Sequence, residues 1–278
     1  MSLTKKIDFA IIIKVKNANP NGDPLNGNRP RIDYDGFGEI SDVCIKRKLR
    51  NRLLDDDVAI LVQSDDYRKD EYRSIKERYD AIMKGLPNSK ELTKTKDGAA
   101  KAEAACRIWF DVRAFGQVLA GVDDTSASIA IRGPVSIQSA FSIDTVSITS
   151  LQITKSVNLT TNKDDPSKKS GDTMGTKHRV DQGVYVTYGS INKQLAEKTG
   201  FSDEDAEKLK SVMTRLFEND ESSARPSGSM QILKVIWWTH EGAILPSAKV
   251  HKSLCVKPDG TYSLDRLDGL IVEELDGR

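Results

Sequence analysis

The segment 17–54 constrains this chain most. It follows a strand-like run, Ile7 to Lys16, and reads N-A-N-P-N-G-D-P-L-N-G-N-R-P-R-I-D-Y-D-G-F-G-E-I, then S-D-V-C-I-K-R-K-L-R-N-R-L-L. In the run, Ile7, Phe9, Ile11, Ile13 and Val15 share one parity and Asp8, Lys14 and Lys16 the other, the period of a half-buried strand. Ser41 is an N-cap, because its hydroxyl can accept from the free N–H groups of a first helical turn. Ile45, Leu49 and Leu53 then recur at four-residue intervals and form one core-facing stripe. The order strand, loop, helix is therefore set locally.

The chemistry of the same segment points to a polyanion. Lys46, Arg47, Lys48, Arg50 and Arg52 fill most of the remaining helix circumference, and only Asp42 opposes them. Asn17, Asn19, Asn21, Asn26 and Asn28 carry amides that can pair with base edges or phosphates, the loop glycines allow close backbone approach, and Arg29 and Arg31 add charge. RNA is the expected ligand. The competing reading is a solvated helix face balanced by acidic neighbours such as Asp55, Asp56 and Asp57.

Overall charge does not decide between the two. The 278 residues carry a net charge of +1, so RNA binding requires segregated charge. Cys44, Cys106 and Cys255 are at no metal-like spacing and fit a reduced, cytoplasmic setting. No apolar run approaches membrane-spanning length, and Met1 to Lys6 leads into a strand and not into a secretory signal.

Further along, 65–85 reads as a second helix with Tyr72, Ile75, Tyr79, Ile82 and Met83 as its stripe, and 99–109 as an Ala-rich third. Strands return at Ile129, with a change of parity near Asp144 and Thr145. The stretch 159–175 is polar and aperiodic, a long excursion between two strands. Ser202 caps an amphipathic helix through Ala206, Leu209, Val212, Met213, Leu216 and Phe217, and Met230 to Trp238 is the last strong strand. The β-α-(insert)-β-β-α-β order predicts an α+β, ferredoxin-like fold, the group that includes RRM domains. The aromatic signature of a base-stacking RRM is missing, so contacts to phosphate and ribose are expected.

Four blocks in order carry a family resemblance: the N-P-N-G-D-P loop, the G-E-I-S-D-V-x-I-K-R-K-L-R helix, the I-R-G-P-V-S-I-Q-S-A-F-S strand and the T-M-G-T-K-H-R-V-D-x-G-V-Y block. Together they resemble the backbone subunit of type I CRISPR surveillance (Cascade) complexes, closest to the Csd/Csh branch of subtypes I-C and I-B. The resemblance implies a modified RRM-like palm, 1–56, 121–156 and 181–278, with a helical finger-like insertion, 57–120, and a protruding thumb-like β-ribbon, 157–180. It implies a non-catalytic subunit that polymerises along CRISPR RNA as a helical filament. Its partners would be further copies of itself, other Cascade subunits and target DNA paired through the guide. The residues expected at the RNA are Asn19, Asn21, Arg29, Arg31, Ser41, Lys46, Arg47, Arg50, Arg113, Gln117, Arg132, Lys155, Met174, Lys177, His178 and Arg179, with no cofactor and no metal.

Several residues have two readings. Met174 resembles a wedge that displaces a nucleotide of the guide–target duplex, or it packs the ribbon onto its own palm. His178 contacts RNA or is structural, whereas His240, after two tryptophans, is structural. Phe115 and Gly116 would place Arg113 and Gln117 near the RNA groove, or Phe115 is a buried aromatic beside a tight turn. Asp33 and Asp35 could hold Mg²⁺ for RNA cleavage, as a loop aspartate does in related type III subunits, or they are turn residues that satisfy their own backbone. A metal-dependent endoribonuclease and a solitary RNA-binding regulator are the rival functions.

Overall fold

The computed structural model describes residues 2–87, 98–121, 128–154, 157, 174–242 and 244–278. In chain order the strands are β1 (Ile7–Ala18), β2 (Gly22–Asp23), β3 (Arg29–Pro30), β4 (Phe37–Ile40), β5 (Gly116–Leu119), β6 (Ile129–Arg132), β7 (Val135–Ile137), β8 (Ala140–Thr145), β9 (Ile148–Thr154), β10 (Met174–Ile191), β11 (Met230–His240), β12 (Leu254–Val256), β13 (Tyr262–Leu264) and β14 (Leu270–Asp276). The helices are α1 (Asp42–Asp55), α2 (Ile75–Lys84), α3 (Gly98–Ile108), α4 (Phe110–Phe115), α5 (Lys193–Thr199), α6 (Asp203–Met213) and α7 (Ser247–Lys252). The fold is α+β around one antiparallel sheet of order β14-β11-β1-β10-β8-β4, with β7 and β9 also paired to β10.

β1 is central, between β10 and β11, and both of its faces are covered. This corrects the half-buried reading. Phe9, Ile11, Ile13 and Val15 join the main core with Ile45, Leu49 and Leu53 of α1 and Leu209, Val212 and Met213 of α6. On the other face Ala10 packs with Trp238, Val250 and Leu254 under the C-terminal layer, and Ile12 with Val184 and Val186. The sign was present in the sequence: Phe9 to Ile13 is an unbroken apolar run, as a strand buried on both faces requires.

Asp8 lies on that second face and is fully buried. His240 Nε2 is 2.7 Å from its carboxylate, Lys6 Nζ 3.1 Å and His251 Nε2 3.6 Å. Burial alone would raise its pKa, yet the bonds from His251, Ser247, His240 and Lys6 outweigh that and hold the carboxyl well below the ordinary carboxylate range. His240 is thus tied into the sheet beneath α7, where its ring Nδ1 also takes the Leu245 N–H.

A second apolar cluster gathers Leu61, Tyr79, Met83, Ala105, Cys106, Trp109, Val112, Leu119 and Ile129. β6 pairs with β5 and takes no part in the main sheet, which resumes at β7. The helix expected over 65–85 begins only at Ile75, with Ser74 as its cap. The residues before it instead serve Arg78, whose guanidinium donates to Asp70, the Leu61 carbonyl and the Tyr72 carbonyl. Buried and fixed at three points, Arg78 holds the chain in turns where periodicity alone suggested helix.

Candidate nucleic-acid interface

The Asn/Gly loop is braced from within. Ser41 caps α1 by accepting from the Cys44 N–H, and Asn21 Oδ1 in turn accepts from the Ser41 N–H at 2.9 Å and its hydroxyl at 2.8 Å. Asn19 is buried, donates its side-chain amide to the Asn28 carbonyl at 2.7 Å, and donates its backbone N–H to the Ala224 carbonyl. Asn21 therefore holds the loop on the helix N-terminus, and Asn19 closes the loop on itself and ties it to the chain at Ala224. Arg31 exchanges backbone hydrogen bonds with Asn21 and Glu39, and its half-buried side chain lies 3.7 Å from Asp23. Gly38 is needed for space: a Cβ there would sit 2.2 Å from the Tyr185 hydroxyl.

The five cations of α1 all have carboxylate partners. Lys46 pairs with Asp42 at 2.9 Å, Arg47 with Asp66 at 3.0 Å, Arg50 with Asp111 at 2.9 Å and Arg52 with Asp55 at 2.6 Å. Lys48 pairs with Asp220. Lys48 and Arg52 are buried, and Arg50 lies over the Phe115 ring with its side chain 13% exposed. Only Lys46 and Arg47 keep appreciable contact with solvent. Asp42 and Asp55 lie on the helix itself, and the other three partners, Asp66, Asp111 and Asp220, are brought to it by the tertiary fold.

Some of the charge without a carboxylate partner lies where β9 and β10 form a ribbon. Its register sets Arg179 opposite Thr149, His178 opposite Ser150, Lys177 opposite Leu151 and Met174 opposite Thr154. Among the described residues no carboxylate lies on Lys177, and Arg179 has only Asp181, at 3.7 Å. Met174 is exposed, and its sulfur accepts from Gln152 at 3.2 Å. His178 Nδ1 is 2.8 Å from Ser150 Oγ, and Arg29 Nη1 of the β2–β3 hairpin donates to that same oxygen at 3.2 Å. Ser150 thus joins loop to ribbon. Sequence reasoning missed it, since its one signal is a parity that matters only once the β9–β10 register is known. Lys155 lies outside the described residues.

The remaining candidates group apart. Arg113 makes a two-pronged bond to Asp205, at 2.8 and 2.7 Å, over the Phe110 ring. With Arg132 it lines a cleft of about 950 Å³ between α3, β6 and the α5–α6 turn. Gln117 stands on β5 and donates to the neighbouring Val118 carbonyl. Among the described residues no hydrogen bond or ion pair joins this cleft to the loop and ribbon.

Asp33 Oδ1 accepts from the N–H groups of Asp35 at 3.0 Å and Phe37 at 2.9 Å, so this carboxylate closes its own turn. Among the described residues no group of three or more metal-binding side chains converges. Burial pushes the Cys106 thiol up to about 11, away from nucleophilic use. No helix among the described residues is long and apolar enough to cross a membrane.

Comparison with known proteins agrees with this architecture. A CRISPR-associated protein Cas7 of Haloferax volcanii is 28% identical over 250 residues, 82% of this chain and 68% of the relative. A chain of a solved structure described as a CRISPR RNA-guided surveillance complex, pre-nicking, shares the fold with a TM-score of 0.54 at 17% identity, covering 88% of this chain and 81% of that one. The family model for CRISPR-associated protein Cas7 matches residues 5–267, and the chain therefore belongs to the Cas7 family.

Proposed function

We propose that this chain is a non-catalytic, RNA-binding backbone subunit of a type I CRISPR surveillance complex, acting in the cytoplasm. It would line CRISPR RNA in successive copies, beside other subunits, and present the guide for pairing with target DNA. The observation that carries this reading is the Arg29–Ser150–His178 contact, which gathers donors of the loop and the ribbon at one point. A backbone that holds any guide sequence needs phosphate contacts and no base readout, and that is what this donor set offers.

Strand order supports a modified RRM or ferredoxin-like palm, because β11-β1-β10-β8 with α1 and α6 between strands repeats that arrangement. We assign 57–120 to a finger-like insertion and 157–180 to a thumb-like ribbon; of these, 88–97 and 158–173 lie outside the described residues. Arg29, Arg31, Lys46, Arg47, Met174, Lys177, His178 and Arg179 are the proposed contacts. Asn19, Asn21 and Ser41 brace the loop that carries Arg29 and Arg31, Arg50 fastens α1 through Asp111, and Arg113 and Arg132 line the separate cleft.

The test is a salt titration of binding to single-stranded RNA, with electron microscopy of the mixture. Wild type should assemble along RNA, and Arg29→Ala with Lys177→Ala should lower the salt slope by about 0.7 per lost phosphate contact. An unchanged slope and affinity would remove the interface from this surface. A wild type that ignores RNA would remove the function.

A further inference from the structure

Ser150 stands between two of the proposed contacts and has a chemical role of its own. A guanidinium has no acceptor, so the proton between Arg29 Nη1 and Ser150 Oγ must come from the arginine. The serine then has one proton to give, and His178 Nδ1, 2.8 Å away, takes it when the ring carries its hydrogen on Nε2; among the described residues no other group meets that proton. A hydroxyl that accepts from a cation becomes a better donor, so the two bonds reinforce each other in the direction arginine to serine to histidine.

We propose that Ser150 is a positioning residue for the RNA interface: its hydroxyl fixes His178 as the Nε2–H tautomer and orients Arg29 beside it, forming a paired donor set for one backbone phosphate. This deepens the RNA-binding reading and rests on it for the identity of the ligand. The faces of the ribbon are sorted accordingly. Ser150, His178 and Arg29 share one side, whereas Lys177, Arg179 and Asp181 alternate to the other. A phosphate at the first side meets two directional donors, and the lysine and arginine of the second side supply non-directional charge.

The experiment uses the full chain. Its histidines number three, so long-range ¹H–¹⁵N correlation resolves each ring, and His178→Gln assigns the signals of His178. Wild type should show Nε2–H at His178. Ser150→Ala should give a tautomer mixture, and Ser150→Thr, which keeps the hydroxyl, should restore the wild-type pattern. In fluorescence anisotropy with labelled single-stranded RNA, Ser150→Ala should weaken binding about five-fold. The salt slope should stay unchanged, because no charge is lost. Ser150→Thr should bind as wild type does. An Nδ1–H ring in wild type, or wild-type affinity in Ser150→Ala, overturns the proposal. If the tautomer pattern appears as described and the protein has no affinity for RNA, the RNA reading fails while the hydrogen-bonded chain stands.

Discussion

Arg50 Nε lies 2.9 Å from Asp111 Oδ2, and the Asp111 carboxylate also receives the backbone N–H groups of Leu61 and Val62. The pair fastens α1 to α4 and to the chain that enters the second apolar cluster. Charge alone suggests that Arg50, like Lys46, could be reversed with little loss of fold; the pairing predicts otherwise. Arg50→Ala should cost about 3 kcal/mol by leaving a buried carboxylate without its counter-ion. Lys46→Ala breaks only a partly exposed pair along one helix and should cost ~0.5 kcal/mol or less. Urea unfolding of the two variants checks this, and equal losses would contradict it.

Asp8 predicts how the C-terminal layer answers acid. Its folded pKa lies below the ordinary 3.8. A depressed carboxyl contributes stability that is full above the unfolded pKa and is lost as pH falls through the folded one. Asp8→Asn should therefore lower Tm at pH 7, and the gap to wild type should hold from neutrality down to about pH 4 and narrow below it. A gap that stays constant to pH 2 would mean that the carboxylate charge is not what the histidines and Lys6 stabilise.

How far the sequence speaks for this fold depends on how local each cause is. The N-cap at Ser41, the stripe Ile45–Leu49–Leu53 and the capping of α6 by Ser202 act within a few residues, and all three stand in the structure. The second buried face of β1 is covered by Val250 and Leu254, far down the chain; the unbroken run Phe9 to Ile13 signals that a cover exists, but not which residues supply it. The α1 cations divide in the same way. Asp42 and Asp55 are neighbours on the helix, whereas Asp66, Asp111 and Asp220 arrive only through folding. Basic charge in the sequence thus pointed to the helix, whereas Arg29 of the hairpin and Lys177 of the ribbon are cations with no carboxylate partner among the described residues.

Gly38 should tolerate no side chain. Tyr185 is fully buried behind it, with ring carbons 2.8 Å from the position of an added Cβ. Gly38→Ala must shift either β4 or the tyrosine, at a cost of about 1–3 kcal/mol. Because β4 leads straight into Ser41, RNA affinity should fall together with thermal stability. A Tm within one degree of wild type would show that the strand yields without strain.

The last prediction separates scaffold from nuclease at Asp33. Its Oδ1 takes two backbone N–H groups, from Asp35 and Phe37, and an asparagine oxygen can take the same two. Asp33→Asn should therefore keep the turn, the Tm and the RNA affinity, whereas Asp33→Ala, which orphans both donors, should loosen the loop by about 1–2 kcal/mol. Metal-assisted cleavage would instead be lost with both variants, since an amide is a far poorer ligand for Mg²⁺ than a carboxylate and alanine offers none. Labelled RNA incubated with Mg²⁺ should remain intact with wild type and with both variants. Cleavage by wild type that Asp33→Asn abolishes, with its affinity for RNA unchanged, would make Asp33 a metal ligand and the chain a ribonuclease.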